Sequence, residues 1–235
     1  VTDIAAIERL LPLMFQAHPW HGVPAKPEGA ATTGSINAYI EFVPMDTVKY
    51  ELDKASGHLK VDRPQRFSSL CPTLYGFVPQ TYCGEAIGER ARSRTKQPVV
   101  LGDEDPLDIC VITERTFAQG AFLLRARPLG GFRLIDKDRA DDKIIAVLED
   151  DGAYGHFSDL SECPAPLIER LRHYFLTYKR GPGGGGATVE QPIDIAETYG
   201  AEEAREVIRL SEVDYVTKFG EPSARVHQLA ALLSG

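Results

Sequence analysis

Between Asp103 and Asp108 the chain reads Asp-Glu-Asp-Pro-Leu-Asp, then turns apolar at Ile109, Cys110, Val111 and Ile112. Two like charges about 4 Å apart repel by roughly 4 kcal/mol at an effective dielectric near 20. A free loop would dilute that cost, but the apolar strand that follows anchors these acids against a core. A divalent cation is the usual relief, and hard oxygen donors suit Mg²⁺, Mn²⁺ or Ca²⁺. The stretch is not an EF-hand loop. Counting from Asp103, Glu114 falls at the twelfth position, but Leu107 takes a ligating place and Asp108 replaces the turn glycine. A second acid group, Asp136, Asp138, Asp141 and Asp142, lies between two strand-like segments. Two acidic turns at similar strand ends can converge on shared metal ions.

Cations that could meet an anion at such a place are also present. Lys49 and Glu51 stand two apart on a strand, so their side chains leave one face together. Glu41 falls on the strand before, and Arg63 ends the strand after. These residues form either a salt-bridge network or a clamp for phosphate oxygens beside metal-bound carboxylates. Tyr178-Lys179 closes a helix. It reads either as ordinary termination, where a lysine complements the helix dipole, or as a hydroxyl and an ammonium for the same site.

The elements that must carry these groups follow from hydrophobic periodicity. Apolar residues at helical spacing predict a helix over Ile4 to Gln16, followed by a Pro/Gly-rich link to Gly34. From Ile36 to Phe42 the period becomes two, a strand broken by Pro44. Further strands are expected over 47–53, 58–62, 109–113, 122–126, 131–135 and 143–148. Short strands with interspersed Gly and Pro suggest a small closed barrel. Helices are expected from Leu167 to Tyr178 and from Ile195 to Phe219, with a Gly-rich break at 181–186 between them. The expected organisation is an N-terminal helix and linker (1–34), a barrel domain (35–180) and a helical extension (181–235) packed on it.

With 235 residues and 43% apolar composition, one sizeable core can form. The net charge of −8 argues against general affinity for nucleic acid. No stretch is long and apolar enough to span a bilayer, and the opening Val-Thr-Asp-Ile has no signal-peptide pattern, so no membrane partner is expected. The four cysteines show no metal-ligand spacing and read as free thiols of a cytoplasmic protein.

The order of the residues adds a stronger indication. Ile-Glu at 40–41, Lys-Tyr-Glu at 49–51, Val-Asp-Arg at 61–63 and Tyr-Gly at 75–76 precede the acidic hexapeptide at 103–108. Arg-Pro-Leu-Gly at 127–130, Asp136, Asp141, Lys143 and Tyr-Lys at 178–179 follow it. This set resembles the family I soluble inorganic pyrophosphatases, from about Ile40 to Lys179. The resemblance implies a mainly β fold with flanking helices, an OB-like closed five-stranded barrel, and hydrolysis of inorganic diphosphate to two orthophosphates. It implies several Mg²⁺ ions, with Mn²⁺ as a substitute, held by Asp103, Asp108, Asp136, Asp141 and Glu41. Asp105 matches the family's general base, which deprotonates a water bridging two metals. Lys49, Arg63, Tyr75, Lys143, Tyr178 and Lys179 would hold diphosphate, with Glu51 in support. A homo-oligomer, hexamer or dimer, is expected.

Some positions depart from that pattern. Cys71 stands where many members carry a second pocket tyrosine, and Lys137 where an acid often follows Asp136. The interval from Gln80 to Leu101 is long and holds Arg90, Arg92, Arg94 and Lys96 at alternate positions, either a solvated basic loop or a lid or subunit contact that adds positive potential near the acidic pocket and steers substrate inward. The segment beyond Gly181 has no evident counterpart in compact members. Another metal-dependent phosphoesterase, or a catalytically silent barrel, would keep the same acids. An oligonucleotide-binding barrel fits less well, because such modules present a basic, aromatic groove.

Overall fold

The computed structural model describes residues 16–29, 34–66, 68–95, 100–179 and 193–234. Most of the expected N-terminal helix, Lys96 and the Gly-rich break lie outside them. Ten strands are β1 (Ile36–Phe42), β2 (Val48–Leu52), β3 (Leu59–Pro64), β4 (Leu74–Phe77), β5 (Leu101–Gly102), β6 (Asp108–Ile112), β7 (Phe122–Asp136), β8 (Arg139–Ala140), β9 (Lys143–Leu148) and β10 (Asp194–Gly200). Among the described residues these strands are joined by four α-helices, α1 (Glu85–Thr95), α2 (Ala165–Thr177), α3 (Ala201–Phe219) and α4 (Pro222–Ser234), and a 3₁₀ turn at Leu160–Glu162.

The pairings β1-β4-β6-β9-β7 return to β1, so five strands close a ring with helices around it. This is the mainly β architecture that the sequence predicts. Both faces of β6 and β9 are buried. Ile109, Val111, Ile144 and Ala146 enter one core, while Cys110, Ile112, Ile145 and Val147 enter a second. A strand covered on both sides reads as a continuous apolar run, which is how 109–112 and 144–147 look in the sequence. At Gly76 of β4, a Cβ would sit 1.8 Å from the Tyr39 carbonyl oxygen, so only glycine lets β1 and β4 approach this closely.

The structure corrects several expectations. Residues 122–126 and 131–135 belong to one long strand, β7, whose register against β9 slips between Pro128 and Gly130. A bulge there accommodates the proline, which has no N–H to give the ladder. Residues 194–200 form strand β10 on the edge of β7 rather than the start of a helix, which begins only at Ala201. The basic interval is helical over 85–95. Its arginines are paired: Arg90 Nε donates to Glu203 at 2.9 Å, Arg94 Nε to Glu197 at 3.1 Å, and Arg92 to Glu85 at 2.6 Å. These charges are neutralised against α3, β10 and their own helix, so this segment is not a steering lid over the acidic pocket.

Candidate active site

The register of β6 against β9, two parallel strands, sets Asp108 directly beside Lys143. Asp141 is two residues earlier on the same side of the chain, and Lys143 donates to both carboxylates. The acidic hexapeptide enters this place on a braced loop. Leu107 is fully buried, its N–H donates to Thr81 Oγ1 at 3.0 Å, and its carbonyl accepts from Val78 N at 2.9 Å. Asp105 N turns back to Asp103 Oδ1 at 3.0 Å, and Glu104 adopts φ +68° to make the bend. The second acidic turn, between β7 and β8, carries Lys137 and Asp138 at φ 50° and 63°. It presents Asp136 to Lys179 Nζ at 2.6 Å.

Glu41 reaches the site through a defect in β1. The β1–β4 register shifts between Ile40 and Phe42, leaving Glu41 as the extra residue of a bulge. Its carboxylate turns inward and accepts from Leu52 N at 2.7 Å. The alternation of β1 switches faces at the same point, so Phe42 joins the second core and stacks on Tyr75. Tyr75 donates to Asp108 Oδ2 at 2.7 Å. On the β2–β3 hairpin, Lys49 pairs with Glu51 and lies 3.4 Å from Asp62, which also holds Arg63. The Arg63 guanidinium lies 5.8 Å from the Tyr178 ring centre, at the end of α2.

A cavity of about 340 Å³ gathers these groups. Its lining includes every residue to which the resemblance gives a site role: Glu41, Lys49, Glu51, Arg63, Tyr75, Asp103, Asp105, Asp108, Asp136, Asp141, Lys143, Tyr178 and Lys179; Asp138 and Asp142 of the second acidic turn do not line it. Cys71 is buried in the second core, 3.7 Å from Thr73 Oγ1, and does not line the cavity. Lys54 and Arg139 line it without having been expected. Lys54 rides the tip of the β2–β3 hairpin and pairs with Asp105, fifty-one residues away. Only the folded hairpin brings the two together, and no local spacing announces it.

Seven acids (Glu41, Glu51, Asp103, Asp105, Asp108, Asp136, Asp141) and seven cations (Lys49, Lys54, Arg63, Lys137, Arg139, Lys143, Lys179) line the cavity, so the carboxylates are crowded together although the charges match in number. Burial, reinforced by Asp108, pushes the Glu41 carboxyl up to about 8. Burial and the neighbouring Asp141 hold Asp103 well above the usual carboxylate range. Burial also opposes the charge on Asp141, but Lys143 outweighs it and lowers that pKa. For Lys143, burial works against the ammonium, yet Asp108 and Asp141 raise it well above its ordinary value. Among the described residues no three acid, imidazole or thiol groups converge as a preformed ligand set. Lysines hold the carboxylates instead. The carboxylates are hard oxygen donors, crowded closely enough to push Glu41 and Asp103 towards the neutral form, and that chemistry fits Mg²⁺ or Mn²⁺.

A five-strand ring with an acid-rich, lysine-lined cavity at its mouth defines a site for a compact polyanion held together with divalent cations. Comparison with known proteins narrows this class. A family model described as Inorganic pyrophosphatase matches residues 38–215. An inorganic pyrophosphatase of Chlamydia trachomatis serovar L2 is 50% identical over 203 residues, 86% of this chain and 96% of that one. The crystal structure of an inorganic pyrophosphatase from Neisseria gonorrhoeae, 30% identical, superposes with a TM-score of 0.62 over 77% of this chain and 91% of its own. The pyrophosphatase of Thermus thermophilus, at 22% identity, shares the fold with a TM-score of 0.66 over 84% and 98%. The chain belongs to the inorganic pyrophosphatase family. The match extends to residue 215 and so takes in β10 and most of α3.

Proposed function

We propose that the cavity carries out Mg²⁺-dependent diphosphate hydrolysis, with Asp103, Asp108, Asp136, Asp141 and Glu41 as ligands and Asp105 as general base. The enzyme is an inorganic diphosphatase, a hydrolase that splits diphosphate into two orthophosphates, and its family is metal-dependent. One observation carries the assignment of residues: segments spread from Glu41 to Lys179 meet at a single cavity. When bound, divalent ions supply a more acidic water and neutralise phosphoryl oxygens.

The chain's own groups do the rest. Phosphoryl transfer needs in-line positioning and charge neutralisation rather than covalent chemistry from the protein. Lys49, Arg63, Lys143 and Lys179 grip diphosphate oxygens, and the Tyr178 hydroxyl adds a donor. Tyr75, kept protonated by burial and by Asp108, orients that carboxylate and lines the wall. Glu51 holds Lys49 in place. Asp105, half exposed at the mouth, receives the proton of the attacking water. The same reading takes Mn²⁺ as a substitute ion, a homo-oligomeric state and a cytoplasmic setting. The last draws on four free, buried thiols.

Orthophosphate release from diphosphate, ATP and a phosphodiester, with and without Mg²⁺, tests the assignment. Rapid, EDTA-sensitive release from diphosphate alone is expected. Phosphodiester cleavage would favour a different phosphoesterase, and no release at all would favour a silent relative.

A further inference from the structure

Behind the cavity, on the opposite face of β7, lies a second ionic cluster that diphosphate cannot reach. Arg133 is fully buried, and its direct neighbour across the β7–β10 pair is Glu197. Its guanidinium pairs with Glu197, with Glu203 at 2.7 Å and with Asp142 at 3.3 Å, and it lies 5.1 Å from the ring centre of Tyr199. The Tyr199 hydroxyl donates to Asp142 Oδ1 at 2.8 Å. Gly131 makes room for that ring, since a Cβ there would stand 2.6 Å from it.

Asp142 occupies a telling place. It sits between Asp141 and Lys143, which face the cavity, while its own carboxylate points the other way, into the cluster. Successive side chains in extended backbone leave opposite faces, so fixing the middle residue fixes the direction of both neighbours. We propose that Arg133, Asp142 and Tyr199 are positioning residues that aim Asp141 and Lys143 into the cavity and thereby set its affinity for divalent cations. The claim rests on the reading of Asp141 as a ligand. It also gives β10 and α3 a purpose: Glu197, Tyr199 and Glu203 all come from them, and Arg90 and Arg94 of α1 close the same cluster from outside.

Outer groups that orient a ligand typically change metal affinity 10–100-fold when removed. The test is calorimetric titration of MgCl₂ into EDTA-stripped, substrate-free protein, alongside thermal unfolding of each variant. Asp142→Asn is expected to weaken Mg²⁺ binding about tenfold, and Tyr199→Phe, which deletes one hydroxyl, about threefold. Arg133→Lys should bind Mg²⁺ more tightly than Arg133→Met. Tyr199→Phe decides the matter if the charge variants fail to fold. Lowered unfolding temperatures with Mg²⁺ affinity unchanged in the folded variants would make the cluster merely structural and overturn the proposal. Asp141→Asn separates the two levels. If it binds Mg²⁺ like wild type, the ligand assignment is wrong and the positioning claim falls with it. If it loses binding while the Asp142 and Tyr199 variants keep it, the positioning claim alone is overturned.

Discussion

Strands β7 and β9 border two ionic clusters, and the two differ in what surrounds their charges. Behind the strands, Arg90, Arg94 and Arg133 meet Asp142, Glu197 and Glu203, three against three, around a fully buried guanidinium. In front, seven acids and seven cations line a cavity of about 340 Å³. The rear cluster is finished as it stands: its charges are spent on one another. In the front cluster the numbers also match, but burial and neighbouring carboxylates raise the pKa of Glu41 and Asp103, and the groups open onto a cavity where an entering cation relieves that crowding. The same residue types therefore do opposite jobs, depending on crowding and access.

The sharpest way to break this comparison is to cut one group from each side. Asp105→Asn in the open cluster should lower kcat by about 10²–10⁴. Calorimetric Mg²⁺ binding should persist, and stability should shift by no more than about 0.5 kcal/mol. Near-normal turnover at neutral pH would remove Asp105 as the base. Arg133→Met in the closed cluster should instead cost about 3–5 kcal/mol of stability, because it strands buried carboxylates without their partner. The urea midpoint measures this, and a loss under about 1 kcal/mol would mean that the buried carboxylates do not depend on Arg133.

The two clusters were also unequally legible in the sequence. The front one announces itself through the acidic hexapeptide and the two-residue spacing of Lys49 and Glu51, which are local signals of charge crowding and strand face. Its assembly was legible only through the family resemblance and not from local pattern, because the Asp108–Lys143 register joins residues thirty-five apart and Glu41 arrives by a bulge. The rear cluster was invisible for physical reasons. In β10 the inward positions are 195, 197 and 199, and the middle one is the partly buried acid Glu197 where an apolar residue would mark the inner face. Beside a long helix, such a segment reads as more helix. Helix α1 buries only Ile87, Gly88 and Ala91, too small a face to give a periodic apolar signal among its arginines.

Lys54 sharpens the comparison at its edge, where the front cluster meets solvent. Its ammonium and Asp105 are each about half exposed, with side chains 54% and 52% accessible. An exposed pair of this kind contributes at most about 1 kcal/mol to stability. Lys54→Ala should leave the unfolding midpoint nearly unchanged yet raise KM for diphosphate about threefold at low salt, an effect that fades as salt screens the mouth. A KM equal to wild type at all ionic strengths would confine Lys54 to the hairpin surface.

A third cluster, on α3, is mostly aromatic and keeps its histidine uncharged. Tyr215 and Phe219 of that helix meet Trp20 and His21, with the His21 ring stacked 4.4 Å from Trp20 and its Nδ1 2.7 Å from the Tyr215 hydroxyl. Burial, with His18 and Arg225 nearby, lowers the His21 pKa to about 4. The folded protein thus keeps this imidazole neutral, while the unfolded chain takes up a proton near pH 6.5. Its contribution to stability is complete above about pH 6.5 and drains away as pH falls towards 4. The ring is only partly buried, so solvent screening holds the loss to about 1 kcal/mol. Carboxylates elsewhere titrate in the same range, which makes the informative quantity a difference between wild type and His21→Gln. Between pH 7 and pH 5, wild type should lose more unfolding free energy than the variant, and parallel losses would show that protons reach this cluster without cost. The three clusters would then no longer differ by how they handle charge, since even the aromatic one would accept it freely.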